Sequence, residues 1–64
     1  MEERKLRLIK LIEHWAEHND EHGHRYLEAA AEAENIGLEK IANELRAAHK
    51  NTTQVSRHLK NALI

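Results

Sequence analysis

Apolar residues recur every three or four positions along most of the chain, which is the spacing of an amphipathic α-helix. After Gly37 the heptad positions are Leu38, Ile41, Leu45, Ala48, Thr52, Val55, Leu59 and Ala62. Before Gly37 the matching positions are Leu8, Leu11, Trp15, His18, His22, Tyr26, Ala29, Ala33 and Ile36, with one extra residue near Gly23. Because glycine readily adopts the left-handed conformation that ends a helix, Gly37 predicts a turn between two helical arms.

These patterns predict an all-α helical hairpin that forms a single helical domain over residues 1–64. The first arm is expected at about 3–35, the turn at 36–37 and the second arm at about 38–64. A kink or break at Gly23 is one alternative for the first arm, since Asn19 or Asp20 can cap a new helix there. Thr52 can likewise cap a separate last helix, although the unbroken heptad favours one long second arm.

A hairpin of 64 residues has little interior, and a chain without cysteine cannot add disulfides to stabilise it. We therefore expect a homodimer in which two hairpins form an antiparallel four-helix bundle. The net charge of −1 argues against nucleic acid as a partner, and no apolar run approaches the roughly 20 residues of a membrane span. The first residues lack the pattern of a signal peptide, so the expected location is cytoplasmic.

The chemistry that the sequence suggests lies in its six histidines. Residues 13–22 repeat the unit Glu-His-x-x, which places His14, His18 and His22 in one row on a helix. Neighbours in this row are about 6 Å apart along the helix axis, close enough for two imidazoles to bind one cation. Catalysis is not expected: the row also matches the zinc-protease motif H-x-x-E-H, but the motif arises from the repeat and the chain offers no substrate cleft.

Antiparallel folding about Gly37 predicts that all six histidines gather at two levels of the hairpin. His14, His18 and His58 are expected toward its open end, and His22, His24 and His49 nearer its middle. Glu17 and Glu21 are candidate oxygen ligands, or partners that orient the imidazoles. Imidazole and carboxylate ligands suit zinc, nickel, cobalt or copper(II). The first functional hypothesis is therefore a small metal-binding protein for transition-metal buffering, delivery or sensing.

The alternative is a metal-free structural or oligomerisation module of unknown function. In this interpretation the histidines are polar packing groups that fix helix register, or groups whose protonation makes assembly depend on pH. Alanine replacement of His18 and His22 separates the two hypotheses. Cation affinity is lost under the first, whereas dimer stability or its pH profile changes under the second.

His14, Trp15, His18, Asn19 and His22, followed by Gly37 and a heptad helix, give the chain a resemblance to a known group of sequences. It resembles a family of small uncharacterised bacterial and archaeal helical proteins with the pattern H-W-x-x-H-N-x-x-H. Members often carry alanine where this chain has Gly23, so the resemblance implies a continuous first helix. It also implies metal binding, which is suspected for that family.

Overall fold

Two antiparallel helices that pack against each other make up the computed structural model, which describes residues 2–64. Helix α1 spans Glu3–Asn35 and helix α2 spans Glu39–Asn61. The predicted all-α hairpin is thus confirmed, and the first residue of the predicted domain lies outside the described residues. Helix α1 passes Gly23 and helix α2 passes Thr52 without a break, so a helix end at either position is wrong.

The turn follows from one glycine. Gly37 has a φ of +83°, which only glycine adopts without strain. The Leu38 N–H donates to the Ala33 carbonyl at 2.8 Å, and the Gly37 N–H donates to the Glu34 carbonyl at 3.2 Å. These two bonds form a Schellman motif, which satisfies the last carbonyls of α1 and reverses the chain within three residues.

The helices meet along a face whose fully buried members are all small residues. The buried and half-buried positions that line this contact, which we call the interhelix face, are Ile12, Ala16, Asn19, Gly23, Tyr26, Ala30 and Ala33 of α1, Ala42, Leu45, His49, Thr52, Ser56 and Leu59 of α2, and Leu63 just after it. Ala29 and Ala48, beside this face, are also half-buried. Only alanines make up its fully buried apolar part: Ala16, Ala30, Ala33 and Ala42. No large side chain among residues 2–64 is completely buried. The hairpin is therefore closely packed but has almost no conventional hydrophobic core.

The register of α1 differs from the sequence expectation. Between residues 11 and 23 the positions of α1 that face α2 are Ile12, Ala16, Asn19 and Gly23. Each lies one residue after a heptad position that the sequence predicts at the contact. Trp15, expected to pack between the arms, keeps 47% of its surface exposed. The physical reason is the short distance between the helices. Ala16 and Gly23 let the two backbones come closer together than they could if Trp15, His18 and His22 lay between them.

Gly23 shows how close that approach is. A Cβ atom at this position would overlap the Thr52 hydroxyl and lie 3.2 Å from the Thr52 Cβ and 3.6 Å from His49 Nδ1. The His49 Nδ1 forms a hydrogen bond of 2.9 Å with the Gly23 carbonyl oxygen. Gly23 is thus a contact residue of the hairpin, and the missing side chain is what admits Thr52.

The hairpin is a rod of 54 × 13 × 12 Å, and α1, with 33 residues, is longer than α2, with 23. Because Asn19 lies opposite Ser56, the end of the chain at Ile64 lies level with roughly residue 11 of α1. The first two turns of α1 therefore extend beyond α2, and Leu6, Leu8 and Ile9 are exposed there. Neither helix of residues 2–64 has the length and apolar character needed to cross a bilayer.

Candidate interaction face and histidine row

Two ion pairs define one side of the hairpin. Lys60 Nζ donates to Asp20 Oδ2 at 2.9 Å, and Arg46 donates to Glu34. All four residues directly follow a residue of the interhelix face in their own helix. Positions that follow an interhelix residue therefore lie on the same side in both helices, which we call the ion-pair side.

Positions that precede the interhelix residues lie on the opposite side by the same geometry. Those spaced by seven, extended one heptad back to Leu8, we call the open face: Leu8, Trp15, His22 and Ala29 of α1, Ile41, Ala48 and Val55 of α2, and Ala62 just after α2. The other preceding positions lie at its edges and, apart from Leu11, are polar or charged: His18, Arg25 and Glu32 of α1 and Glu44, Asn51 and His58 of α2. Seven of the eight residues of the open face are apolar. Leu8, Ile41 and Val55 are 54%, 50% and 47% exposed. One side of the rod thus carries an unpartnered apolar stripe along most of its length.

The predicted row of histidines runs along the edge of the open face on α1. The ring centroids of His14 and His18 are 5.8 Å apart and stacked, and those of His18 and His22 are 4.7 Å apart and tilted. The row ends at Tyr26, whose ring centroid lies 6.3 Å from that of His22. His22 belongs to the open face and His18 lies beside it, so the closest imidazole pair borders the apolar stripe.

The other three histidines lie elsewhere. His49 is half-buried against Gly23, near the middle of the hairpin, where packing fixes its ring. His24 lies on the outer surface of α1 beside Asp20 and Arg25. His58 is exposed on α2 and directly precedes Leu59, so it lies on the side of the open face but on the other helix from the row. Residues 2–64 contain no group of three or more His, Asp or Glu side chains that could hold a metal ion. Neither predicted level therefore forms a three-ligand group within one hairpin.

The candidate carboxylate ligands Glu17 and Glu21 are both exposed on α1. Each precedes a histidine of the row in sequence, as the Glu-His repeat requires. Glu21 lies three residues after His18 and neighbours it on the helix surface, whereas Glu17 follows Ala16 and lies on the ion-pair side. The arrangement is thus able to supply two neighbouring nitrogen ligands, with Glu21 as the candidate supporting carboxylate.

A polar cluster that sequence reasoning missed connects the helices beside this row. Asn19 Nδ2 donates to the Thr52 carbonyl at 2.7 Å and to the Ser56 hydroxyl at 2.8 Å. The Ser56 hydroxyl in turn donates to Asp20, which also accepts from Lys60. Hydrogen bonds from Ser56 and then Lys60, together with the Lys60 charge, lower the pKa of Asp20. The available signal was spacing, because Asn19 lies three residues after Ala16 and four before Gly23.

The two ends of the rod carry opposite charges. Residues 3–10, which extend beyond α2, contain four basic and one acidic side chain, a net charge of +3. Residues 28–44, around the turn, contain five acidic and one basic side chain, a net charge of −4. A neighbouring hairpin that ran in the opposite direction would therefore meet opposite charge at both ends.

Comparison with known proteins identifies the family of the chain. A family model described as a domain of unknown function, DUF8180, matches residues 8–64, and the chain belongs to this family. Searches among curated proteins and solved structures gave no match.

Proposed function

We propose that this member of the DUF8180 family is a self-associating helical module, in which two copies pair through their open faces into an antiparallel four-helix bundle. The observation that carries the proposal is the contrast between the two faces of the helices. On the interhelix face the only fully buried apolar residues are alanines, with Ile12, Leu45 and Leu59 half-buried beside them, whereas the open face leaves Trp15, Ile41 and Val55 about half exposed. A small domain gains most of its stability from apolar burial, and a second copy would supply that burial.

A second copy of the chain is also the occupant that the charges favour. An antiparallel copy would bring the basic residues 3–10 beside the acidic residues 28–44 at each end of the bundle, whereas a parallel copy would place like charges together. It would also cover the open-face residue Leu8, which is 54% exposed in the first two turns of α1, beyond the end of α2. Shape, apolar surface and charge thus all support pairing with an identical hairpin.

The concentration dependence of thermal unfolding tests this proposal without any substitution. A hundredfold rise in protein concentration should stabilise a dimer by about 2.7 kcal/mol. For two chains of 64 residues this corresponds to a rise in Tm of roughly 10 °C, at about 2.1 cal/mol/K of unfolding entropy per residue. Sedimentation equilibrium should give twice the chain mass. A monomer whose Tm is constant over that concentration range would refute the proposal.

A matched pair of substitutions locates the interface. Val55→Glu places a charge on the open face, where the second copy would bury it, and should abolish the dimer. Leu27→Glu makes the same charge change at a similarly exposed position, since Leu27 and Val55 are 43% and 47% exposed. Leu27 follows Tyr26 and lies on the ion-pair side, so this control should remain dimeric. Equal effects of the two substitutions would contradict the assignment of the open face.

Transition-metal binding is the second candidate function, and the closeness of the His18 and His22 rings favours it. Chelator-stripped protein would be titrated with zinc, nickel, cobalt and copper(II) while heat release and Tm are followed. At a free metal concentration of 100 times Kd, binding to the native state alone should add about 2.7 kcal/mol of stability. The effect should disappear in a His14→Ala, His18→Ala double variant and persist in His24→Ala. Flat titrations with all four cations would exclude this function.

A further inference from the structure

We infer that two copies hold one transition-metal ion between them, with His18 and His22 of both copies as its ligands. The inference rests on the proposed self-association and assigns a site that neither copy completes alone. One hairpin offers one close imidazole pair, with ring centroids 4.7 Å apart, and no group of three potential ligands occurs among residues 2–64. A second pair would supply the missing ligands.

Symmetry determines which helices meet in such a dimer. A two-fold axis that relates two face-to-face, antiparallel hairpins must lie in the interface and run across the helices. Rotation about this axis turns each helix end over end and leaves α1 above α1 of the other copy, and α2 above α2. The two histidine rows, both carried by α1, therefore lie on the same edge of the bundle.

The length of α1 determines where the rows cross. The midpoint of Glu3–Asn35 is residue 19, and full antiparallel overlap of the two copies of α1 places the axis there. At 1.5 Å per residue, His18 lies about 1.5 Å and His22 about 4.5 Å from this level along the helix. The Cα atoms of the four histidines thus fall within about 9 Å along the bundle, which is less than two helical turns.

Four imidazole nitrogens suit a tetrahedral divalent ion such as zinc or cobalt. Glu21 lies three residues after His18, a neighbouring position on the helix surface, and its exposed carboxylate is the candidate acceptor for an outer ring nitrogen. Glu17 follows Ala16 and therefore lies on the ion-pair side, away from the two ligands. His14 lies about 7.5 Å from the midpoint level and falls outside the group. We therefore expect His18 and His22 to bind the ion and His14, in the same row, to take no part.

The experiment uses the full chain, stripped of metal and titrated with Co²⁺, whose visible absorption reports tetrahedral coordination, and with Zn²⁺ in competition. We expect one ion per two chains, and a monomer–dimer midpoint that moves to lower protein concentration when metal is present. His18→Ala and His22→Ala should each weaken binding by more than the 10–100-fold typical of losing a supporting group. His14→Ala and His24→Ala are the controls and should retain tetrahedral binding with the same stoichiometry.

The outcomes separate this inference from the proposed function. One ion per monomeric chain, or binding that depends on His14 as strongly as on His22, would overturn the shared site. A dimer that binds neither Co²⁺ nor Zn²⁺ would overturn the site and leave self-association standing. A chain that stays monomeric with and without metal would overturn both. Because alanine favours helix at these exposed positions, all four variants should fold, and circular dichroism checks that they do.

Discussion

Substitution of Gly23 by alanine tests the packing between the helices. In an isolated helix this change should stabilise by about 1 kcal/mol, because glycine is a poor helix former. Here the added methyl group would overlap the Thr52 hydroxyl and approach the Thr52 Cβ to 3.2 Å. The hydroxyl cannot turn away freely, since it donates to the His49 carbonyl at 2.6 Å. The intrinsic gain and the steric cost therefore oppose each other.

The steric cost should be the larger effect. Overpacking of a close contact costs about 1–3 kcal/mol, and separating the helices instead would stretch the 2.9 Å bond between His49 and the Gly23 carbonyl. We expect Gly23→Ala to destabilise the native protein by up to about 2 kcal/mol after the helix-propensity gain is subtracted. In a Thr52→Ala background the overlapping hydroxyl is absent, and the same change should be neutral or stabilising by up to about 1 kcal/mol.

A double-mutant cycle of Gly23→Ala and Thr52→Ala measures this coupling. Urea unfolding at one fixed protein concentration should give an interaction free energy of about 1–2 kcal/mol. Thr53→Ala is the matched control, since Thr53 also donates to the His49 carbonyl, at 3.2 Å, but is exposed and absent from the contacts of Gly23. If Gly23→Ala stabilises the wild-type protein, Thr52→Ala and Thr53→Ala equally, then Thr52 does not pack closely against Gly23 and the expected coupling is wrong.

Substitutions at three further positions have defined outcomes. Asp20→Asn should cost less than about 1 kcal/mol near neutral pH, because the Lys60 pair is exposed. Since the pKa of Asp20 is lowered from 3.8, the stabilisation by its carboxylate is complete above that value and is lost as the pH falls through the lowered pKa. If the urea midpoints of the wild-type protein and Asp20→Asn differ by a constant amount down to about pH 2, this expectation is wrong. Gly37→Ala should lower the free energy of unfolding by about 1–2 kcal/mol because alanine is strained at a positive φ. Gly37→Asn should lower it less, because asparagine adopts this conformation more readily. Asn19→Ala should lower the free energy of unfolding by about 1–2 kcal/mol because two hydrogen bonds are lost. An unchanged urea midpoint would mean that the polar cluster does not stabilise the hairpin.

The sequence was sufficient for the helices and the turn because those depend on local chemistry. Gly37 marks the chain reversal by itself, since its backbone conformation is one that other residues avoid. The bounds of α1 agree with the predicted 3–35, and α2 ends a few residues before the predicted end of the second arm. The row of His14, His18 and His22 was also predictable, because a period of four on a helix determines it.

The contact between the arms was not predictable by the same reasoning. Apolar periodicity identifies residues that avoid water but does not say which neighbour covers them. In α2 the predicted positions mix two faces: Leu45 and Leu59 contact α1, whereas Ile41 and Val55 lie on the open face. The missed signal was the spacing of Ala16, Gly23 and Ala30 at seven residues, which is typical of helices that pack at short distance.

The residues that pack α1 against α2 and the ligands of the proposed metal site lie within the same two turns of α1. His18 and His22 directly precede Asn19 and Gly23, so the residues that determine the hairpin register alternate with the candidate ligands. The Asn19 hydrogen bonds and the close contact at Gly23 orient this segment of α1 against α2 and so place His22 on the open face and His18 beside it. At the proposed shared site, changes at Asn19 or Gly23 should therefore weaken the binding of Co²⁺, whereas changes at His18 or His22 should leave the hairpin register intact.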